Sequence, residues 1–434
     1  MKRKKGTRWT AISRAALGAM LCALLCGTAA CGMTAAKEVK ADPAAVSAQA
    51  AGQSGAERAS EAVSGAMEGF TASTAAVILP AAEGKNALYS PVSLYHALAM
   101  TAETSAGETL SQTLSLLGVE SVEELRAGLP VLLEQLTGRS EGELALAASF
   151  WMRGDFPFRQ EPVDRLAAYY GAEVYQADFS APSLPDAVAK WVRDKTGGRL
   201  GDAVDFQPDP NTAAYLFSTL YFKGSWDEAF SAENNEEGPF YLADGGAADA
   251  VYMTQWESAG YVEGENFAAA GLGFRGGGEM YFILPEEGIS PAELAADPET
   301  LSAALFPEER ESALVGFRVP KFTVSDSLAA AQEYLKPLGM TDAFDDTRAD
   351  FTPLIDDPAF PLHISNIRQE TTLTIDEEGC EGAAYTKVEY SISSAEYIPP
   401  RQVELNLNRP FLFAVRAHGG VLFVGIVENP AEEG

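Results

Sequence analysis

EEGCEGAAYTKVEYSISS, residues Glu377–Ser394, decides how the rest of the chain is read. It holds no proline, and its two glycines, Gly379 and Gly382, lie near its start. Read with a period of two, Cys380, Gly382, Ala384, Thr386, Val388, Tyr390 and Ile392 form a small or apolar row. Glu381, Lys387, Glu389, Ser391 and Ser393 alternate with them as a polar row, interrupted by Ala383 and Tyr385. That alternation marks a half-buried β-strand. The preceding TTLTID, Thr371–Asp376, is already β-rich, so one strand is expected directly after another. Taken alone, the stretch also suits an exposed edge hairpin of some unrelated β-rich protein. Its surroundings decide.

The chain has 434 residues, 47% of them hydrophobic, which allows a large core in one mixed domain of several layers. Its formal net charge is −31. Loss of Lys2, Arg3, Lys4, Lys5, Arg8 and Arg14 with an N-terminal leader would make it −37. Such a surface repels nucleic acid and favours cationic partners. No basic helix suggests a heparin site.

The basic start MKRKKGTR and the apolar run Ala15–Ala30 read as a secretory signal over 1–30. The run is too short and too early for a separate membrane-spanning domain. Thr28-Ala29-Ala30-Cys31-Gly32 resembles a bacterial lipoprotein processing site, with Cys31 as the lipidated residue. Thr28 stands where a larger aliphatic residue is usual, so cleavage without lipid is the alternative. The expected location is therefore a membrane-anchored lipoprotein on the cell surface, or secretion. Cys22 and Cys26 would leave with the signal and Cys380 would stand alone, so no disulfide framework is expected. Residues 31–60, rich in Ala, Ser, Glu and Gly, are expected to be a disordered tether, with the folded domain over 61–434.

Along the body, Asn86–Ser93 (NALYSPVS) reads as a short strand and a helix capped by Ser90, with Pro91 at its first position. Ala145–Met152 is a strand and Pro162–Tyr170 a helix. Asp186–Lys195, with Trp191, is a helix stopped by Thr196-Gly197-Gly198. Ala214–Phe222 is β-rich and runs into Tyr221-Phe222-Lys223-Gly224-Ser225-Trp226. Gly271–Gly276 satisfies GxGxxG, but a strand, Met280–Pro285, follows where a dinucleotide site needs a helix, so the glycines read as a hairpin turn. The three histidines, His96 in a helix, His363 on a strand and His418 in a turn, stand near no nucleophile motif, and metal-ligand spacing is absent.

NALYSPVS, the Tyr170–Val174 run, Tyr221–Trp226, Gly238-Pro239-Phe240-Tyr241, Phe317–Phe322 and Asn408–Phe413 together resemble the serpins, over about Asn86–Pro430. The resemblance implies an α+β serpin fold of three β-sheets and eight or nine helices with an exposed reactive-centre loop. It implies an inhibitor and not an enzyme, without cofactor or metal, acting as a monomer on serine proteases through a covalent acyl complex. In that scheme the loop is bait and, once cleaved, inserts as a new central strand. An inserted Cys380–Ser393 would span roughly 45 Å. Some ten new ladder bonds at ~1 kcal/mol each rival the stability of a whole domain.

Carried over residue by residue, the loop hinge is Glu377, Glu378, Gly379, Cys380, Glu381, Gly382, Ala383, Ala384 and Thr386. The sheet-opening region is Ser90, Ser93, Ser218 and Gln369, and the top of the sheet is braced by Trp226, Lys321 and Glu377. Cys380 replaces a hinge Thr or Ser, Gly382 and Tyr385 replace alanines, Ser218 replaces an asparagine and Gln369 a histidine. The usual spacing puts the reactive bond at Ser393–Ser394, which suits elastase-like or subtilisin-like proteases. A shift of a few residues would make Tyr390 or Tyr397 the recognised side chain of a chymotrypsin-like target. The second functional class is a surface binding protein that keeps the fold without trapping proteases.

Overall fold

The computed structural model describes residues 36–40, 56–138, 143–196, 206–209, 212–328, 330–355, 361–380, 401–417 and 420–432, with residues 198, 357 and 359. Residues 35–434 form one unit. Its helices are α1 (Ala56–Ile78), α2 (Pro91–Thr104), α3 (Gly107–Leu117), α4 (Val122–Gly138), α5 (Gln160–Tyr170), α6 (Leu184–Lys195), α7 (Pro291–Ala296), α8 (Pro298–Leu305) and α9 (Gln332–Leu335).

Seven strands form one sheet in the order β1 (Ala36–Glu38), β4 (Glu173–Ala177), β3 (Glu143–Arg153), β5 (Ala214–Ser225), β13 (Gly379–Cys380), β12 (Gln369–Asp376) and β11 (Phe322–Leu328). The second sheet is ordered β14 (Arg401–Asn406), β10 (Glu311–Pro320), β7 (Ala247–Glu263), β8 (Phe267–Gly273), β9 (Glu279–Pro285), β15 (Phe411–Ala417), β16 (Gly420–Val427) and β2 (Ala87–Tyr89), with β6 (Glu236–Tyr241) beside β7. The sequence led us to expect three sheets. The two smaller ones are joined because β7 pairs with β6 and β10 over 247–261 and with β8 over 261–263. The GxGxxG glycines lie in the β8–β9 hairpin.

Helix α2 occupies the space between the sheets, against β5 and β16. All fourteen of its residues are buried, as suits a helix of low amphipathicity set inside a core. Each of its polar side chains finds a partner, His96 through Nε2 only. Glu103 accepts a bidentate bond from Arg126 (2.8 and 2.7 Å) and one from Tyr170 Oη (3.2 Å). His96 Nε2 lies 2.8 Å from the Tyr170 carbonyl, and burial lowers its pKa to about 4. Asn86, before β2, holds the C-terminal end. Its Oδ1 accepts from the Glu428 and Asn429 amides, and its Nδ2 donates to the Asn429 and Glu432 carbonyls. The amphipathic α6 presses Leu184, Val188, Trp191 and Val192 onto Trp151, Tyr175 and Phe206, a small core of its own on one face of the sheet.

Two expectations change. The stretch 31–60 is not unstructured throughout: residues 36–38 pair as strand β1, and α1 begins at Ala56 rather than 61. His363 lies in an irregular segment before β12 and not on a strand; His418 falls outside the described residues.

Candidate functional site

The site is the seam between β5 and β12, where the seven-stranded sheet is closed at one end and open below it. At the closed end the chain turns after β12, and Gly379–Cys380 enters as β13. Gly379 lies opposite Ser225 and Asp376, and Cys380 opposite Gly224 and Ile375. Gly379 has φ +144°, in the region that favours glycine, and a Cβ there would lie 2.1 Å from the Gly224 carbonyl oxygen. Cys380 is buried. The resemblance implied an exposed loop that enters the sheet, from Cys380, only on insertion. The structure corrects this: the hinge begins inside the sheet.

Trp226 organises this end. Its ring stacks on Phe274 (5.0 Å, 12°) and meets the edge of Phe230 (5.9 Å). Its amide donates to the Glu378 carbonyl (3.1 Å), and its Nε1 to the Asp376 carbonyl (2.9 Å). The Phe230 amide donates to the Glu377 carbonyl (3.0 Å). The Glu377 carboxylate pairs with Lys321 Nζ (2.9 Å) and also accepts from Asn235 Nδ2 (2.6 Å). Desolvation works to raise the Glu377 pKa, but the bonds from Lys321 and Asn235 outweigh it and hold the carboxyl below its ordinary value. The sequence pointed to Lys321, Glu377 and Trp226, and the structure brings them together. Asn235 was missed. It stands 142 positions from its partner and belongs to no local pattern.

Below Cys380 no ladder joins β5 to β12 among the described residues. A cavity of about 380 Å³ opens there, lined by Ser93, Phe217, Ser218, Ile364, Ile367 and Gln369 among others. The four sheet-opening residues meet at its edge. Ser90 caps α2, accepting from the Ser93 amide (3.2 Å). Ser93 Oγ donates to Ser218 Oγ on β5 (2.8 Å). Gln369 on β12 accepts from the Ser90 amide (2.6 Å) and donates to the Ser90 carbonyl (3.0 Å). Ser218 and Gln369 therefore each bond to α2 rather than to one another. Each edge of the seam is tied separately to the helix beneath.

The other residues expected in the hinge, Glu381, Gly382, Ala383, Ala384 and Thr386, and the expected reactive bond Ser393–Ser394 lie outside the described residues, as does Cys31. The described part contains a seated residue pair at one end of the seam and an open stretch below it.

Comparison with known proteins agrees with this architecture. Serpin-Z1A of Triticum aestivum is 32% identical over 381 residues, which span 81% of this chain and 92% of that protein. The thermophilic serpin Tengpin in its native state superposes with a TM-score of 0.72 at 28% identity, covering 82% of this chain and 94% of that one. Thyroxine-binding globulin in complex with thyroxine shares the fold, with a TM-score of 0.71 at 24% identity. Residues 66–430 match the model of the family Serpin (serine protease inhibitor), and the chain belongs to that family of inhibitors, which are not themselves enzymes.

Proposed function

We propose that this serpin traps serine proteases covalently by inserting its reactive loop between β5 and β12, and that it does so as a lipoprotein anchored through Cys31 on a bacterial surface. The observation that carries the reading is the seated Gly379–Cys380 pair above an open slot. Insertion then continues a strand that has already begun, each further residue joining an existing antiparallel ladder. Extending the same register residue by residue puts Thr386 opposite both Ser218 and Gln369, and residue 391 opposite Ala213. Thr386 would face α2, as do Ser218 and Gln369, so the uncharged row enters the interior and no unpaired charge is buried. Elastase-like and subtilisin-like enzymes are the proposed targets, through the small Ser393.

The test is incubation with a panel of serine proteases followed by denaturing gels. A covalent one-to-one complex, with a released peptide starting at Ser394, is expected. Plain loop cleavage with active protease set free would support the binding-protein class instead. A peptide starting more than three residues from Ser394 would discard the proposed register.

A further inference from the structure

We propose that strand β1 converts the N-terminal anchor into an oriented mount: the molecule rests on the membrane by the end of the seven-stranded sheet farthest from the hinge, so that the bait faces outward. This rests on the proposed acylation of Cys31. β1 adds to the edge of the sheet as an antiparallel partner of β4, with Ala36 opposite Ala177 and Glu38 opposite Tyr175. The Val39 amide continues the ladder to the Val174 carbonyl (2.8 Å). Ala36 packs against the Trp151–Trp191 cluster and Val39 against the main core.

The sheet topology fixes which end this is. Ala177 lies opposite Arg153, and the Arg153 amide donates to the Ala213 carbonyl (2.9 Å), so Ala36 is level with the start of β5. The hinge is level with Gly224, at the far end of that strand. Eleven residue steps separate the two levels, roughly 36 Å along the strands. From Cys31 to Ala36 is five residue steps, a contour of at most about 18 Å. Were β1 not paired, the next described element after the anchor would be α1 at Ala56, a contour of up to about 85 Å. A chain of net charge −37, once the leader is lost, would stand away from an anionic leaflet on so long a lead. The pairing with β4 is what holds the foot of the sheet down.

The experiment uses the full chain, produced in a lipoprotein-processing host and reconstituted into phosphatidylcholine vesicles that carry an acceptor-labelled lipid. A donor dye is placed at the foot through Asp155→Cys, in the exposed turn after β3, or at the hinge end through Glu378→Cys. Energy transfer is expected to be at least twofold greater from the foot. In an antiparallel ladder alternate residues donate, so Lys37 in β1 and Val39 just past it are the donors to β4, and Lys37→Pro/Val39→Pro removes both. That double variant should bring the foot signal down to the hinge signal. Equal transfer from both labels in the unmodified background overturns the orientation. A foot preference that survives the double proline overturns the role of β1. A chain whose mass shows no lipid on Cys31 and which does not float with vesicles overturns the mount together with the anchor, and so is told apart from failure of the orientation alone.

Discussion

The seam between β5 and β12 is closed differently at its two levels. At the top, two residues of the loop fill it with backbone ladder bonds, and Trp226 and Phe230 bind the carbonyls of the turn. In the middle, nothing described stands between the strands, and each edge is tied to α2 by side chains: Ser218 to Ser93 on one side, Gln369 to Ser90 on the other. Backbone closure tolerates many side chains but demands a particular geometry, which Gly379 supplies. Side-chain closure depends on the groups that face inward. The top should therefore be broken by altering the backbone path, and the middle by altering what must enter it.

The largest effect is expected in the middle, at Thr386. Insertion would carry this side chain to the level of Ser218 and Gln369, facing α2. Thr386→Arg would drive a guanidinium into that space at a cost of several kcal/mol. A penalty of only about 1.4 kcal/mol on insertion would already change its partition against acyl-enzyme hydrolysis tenfold. The variant should be cleaved at the same bond, release active protease and give no complex on a denaturing gel. Lys387→Arg, facing outward, should trap as well as the unmodified protein. If both variants trap equally, Thr386 does not enter the sheet.

What the sequence revealed divides along the same line. The capped Ser90–Pro91 start of α2 and the Trp226 segment were legible because local motifs carry them, and the Lys321–Glu377 pair, 56 positions apart, through the family resemblance. That Gly379 and Cys380 are already seated was not legible, because it depends on register against Gly224 and Ser225, far away in the chain. The fourfold grip of Asn86 on the C-terminal end was hidden for the same reason. Strand β1 was hidden by composition. Ala-Lys-Glu has low β-propensity, and only the open edge of β4 makes a strand of it. The union of the expected second and third sheets follows from the length of β7, seventeen residues, whose pattern gave no sign that it served both.

An intermediate effect is expected at the top. Gly379→Val places a branched side chain where φ is +144° and where even a Cβ meets the Gly224 carbonyl. Strain of one or two kcal/mol should lower occupancy of the seated state by a factor of roughly 5–30. Cys380, buried in the unmodified protein, should then be alkylated faster by iodoacetamide, read by peptide mapping. An unchanged alkylation rate would show that the glycine does not govern the seating. A faster rate with trapping preserved would show that the pre-seated pair is not needed to start insertion.

The smallest effect belongs to the charge pair that flanks this closure. The Glu377 carboxyl is held below its ordinary pKa, with desolvation outweighed by the bonds from Lys321 and Asn235. A carboxyl with a lower pKa folded than unfolded contributes stability that is fully present above the unfolded value, about 4.3, and is lost as pH falls through the folded one. Because the Lys321 side chain is 38% exposed, solvent screens the pair, and it should contribute under about 1 kcal/mol. Glu377→Gln should therefore lower the melting temperature at pH 7 by about 1–2 °C. The difference should shrink in 1 M salt and should close in acid, once the carboxyl of the unmodified protein is protonated. A gap of the same size in acid and at neutral pH would mean that the ionised carboxylate adds nothing, and that the bonds from Trp226 and Phe230 and the β13 ladder hold the top of the seam without it.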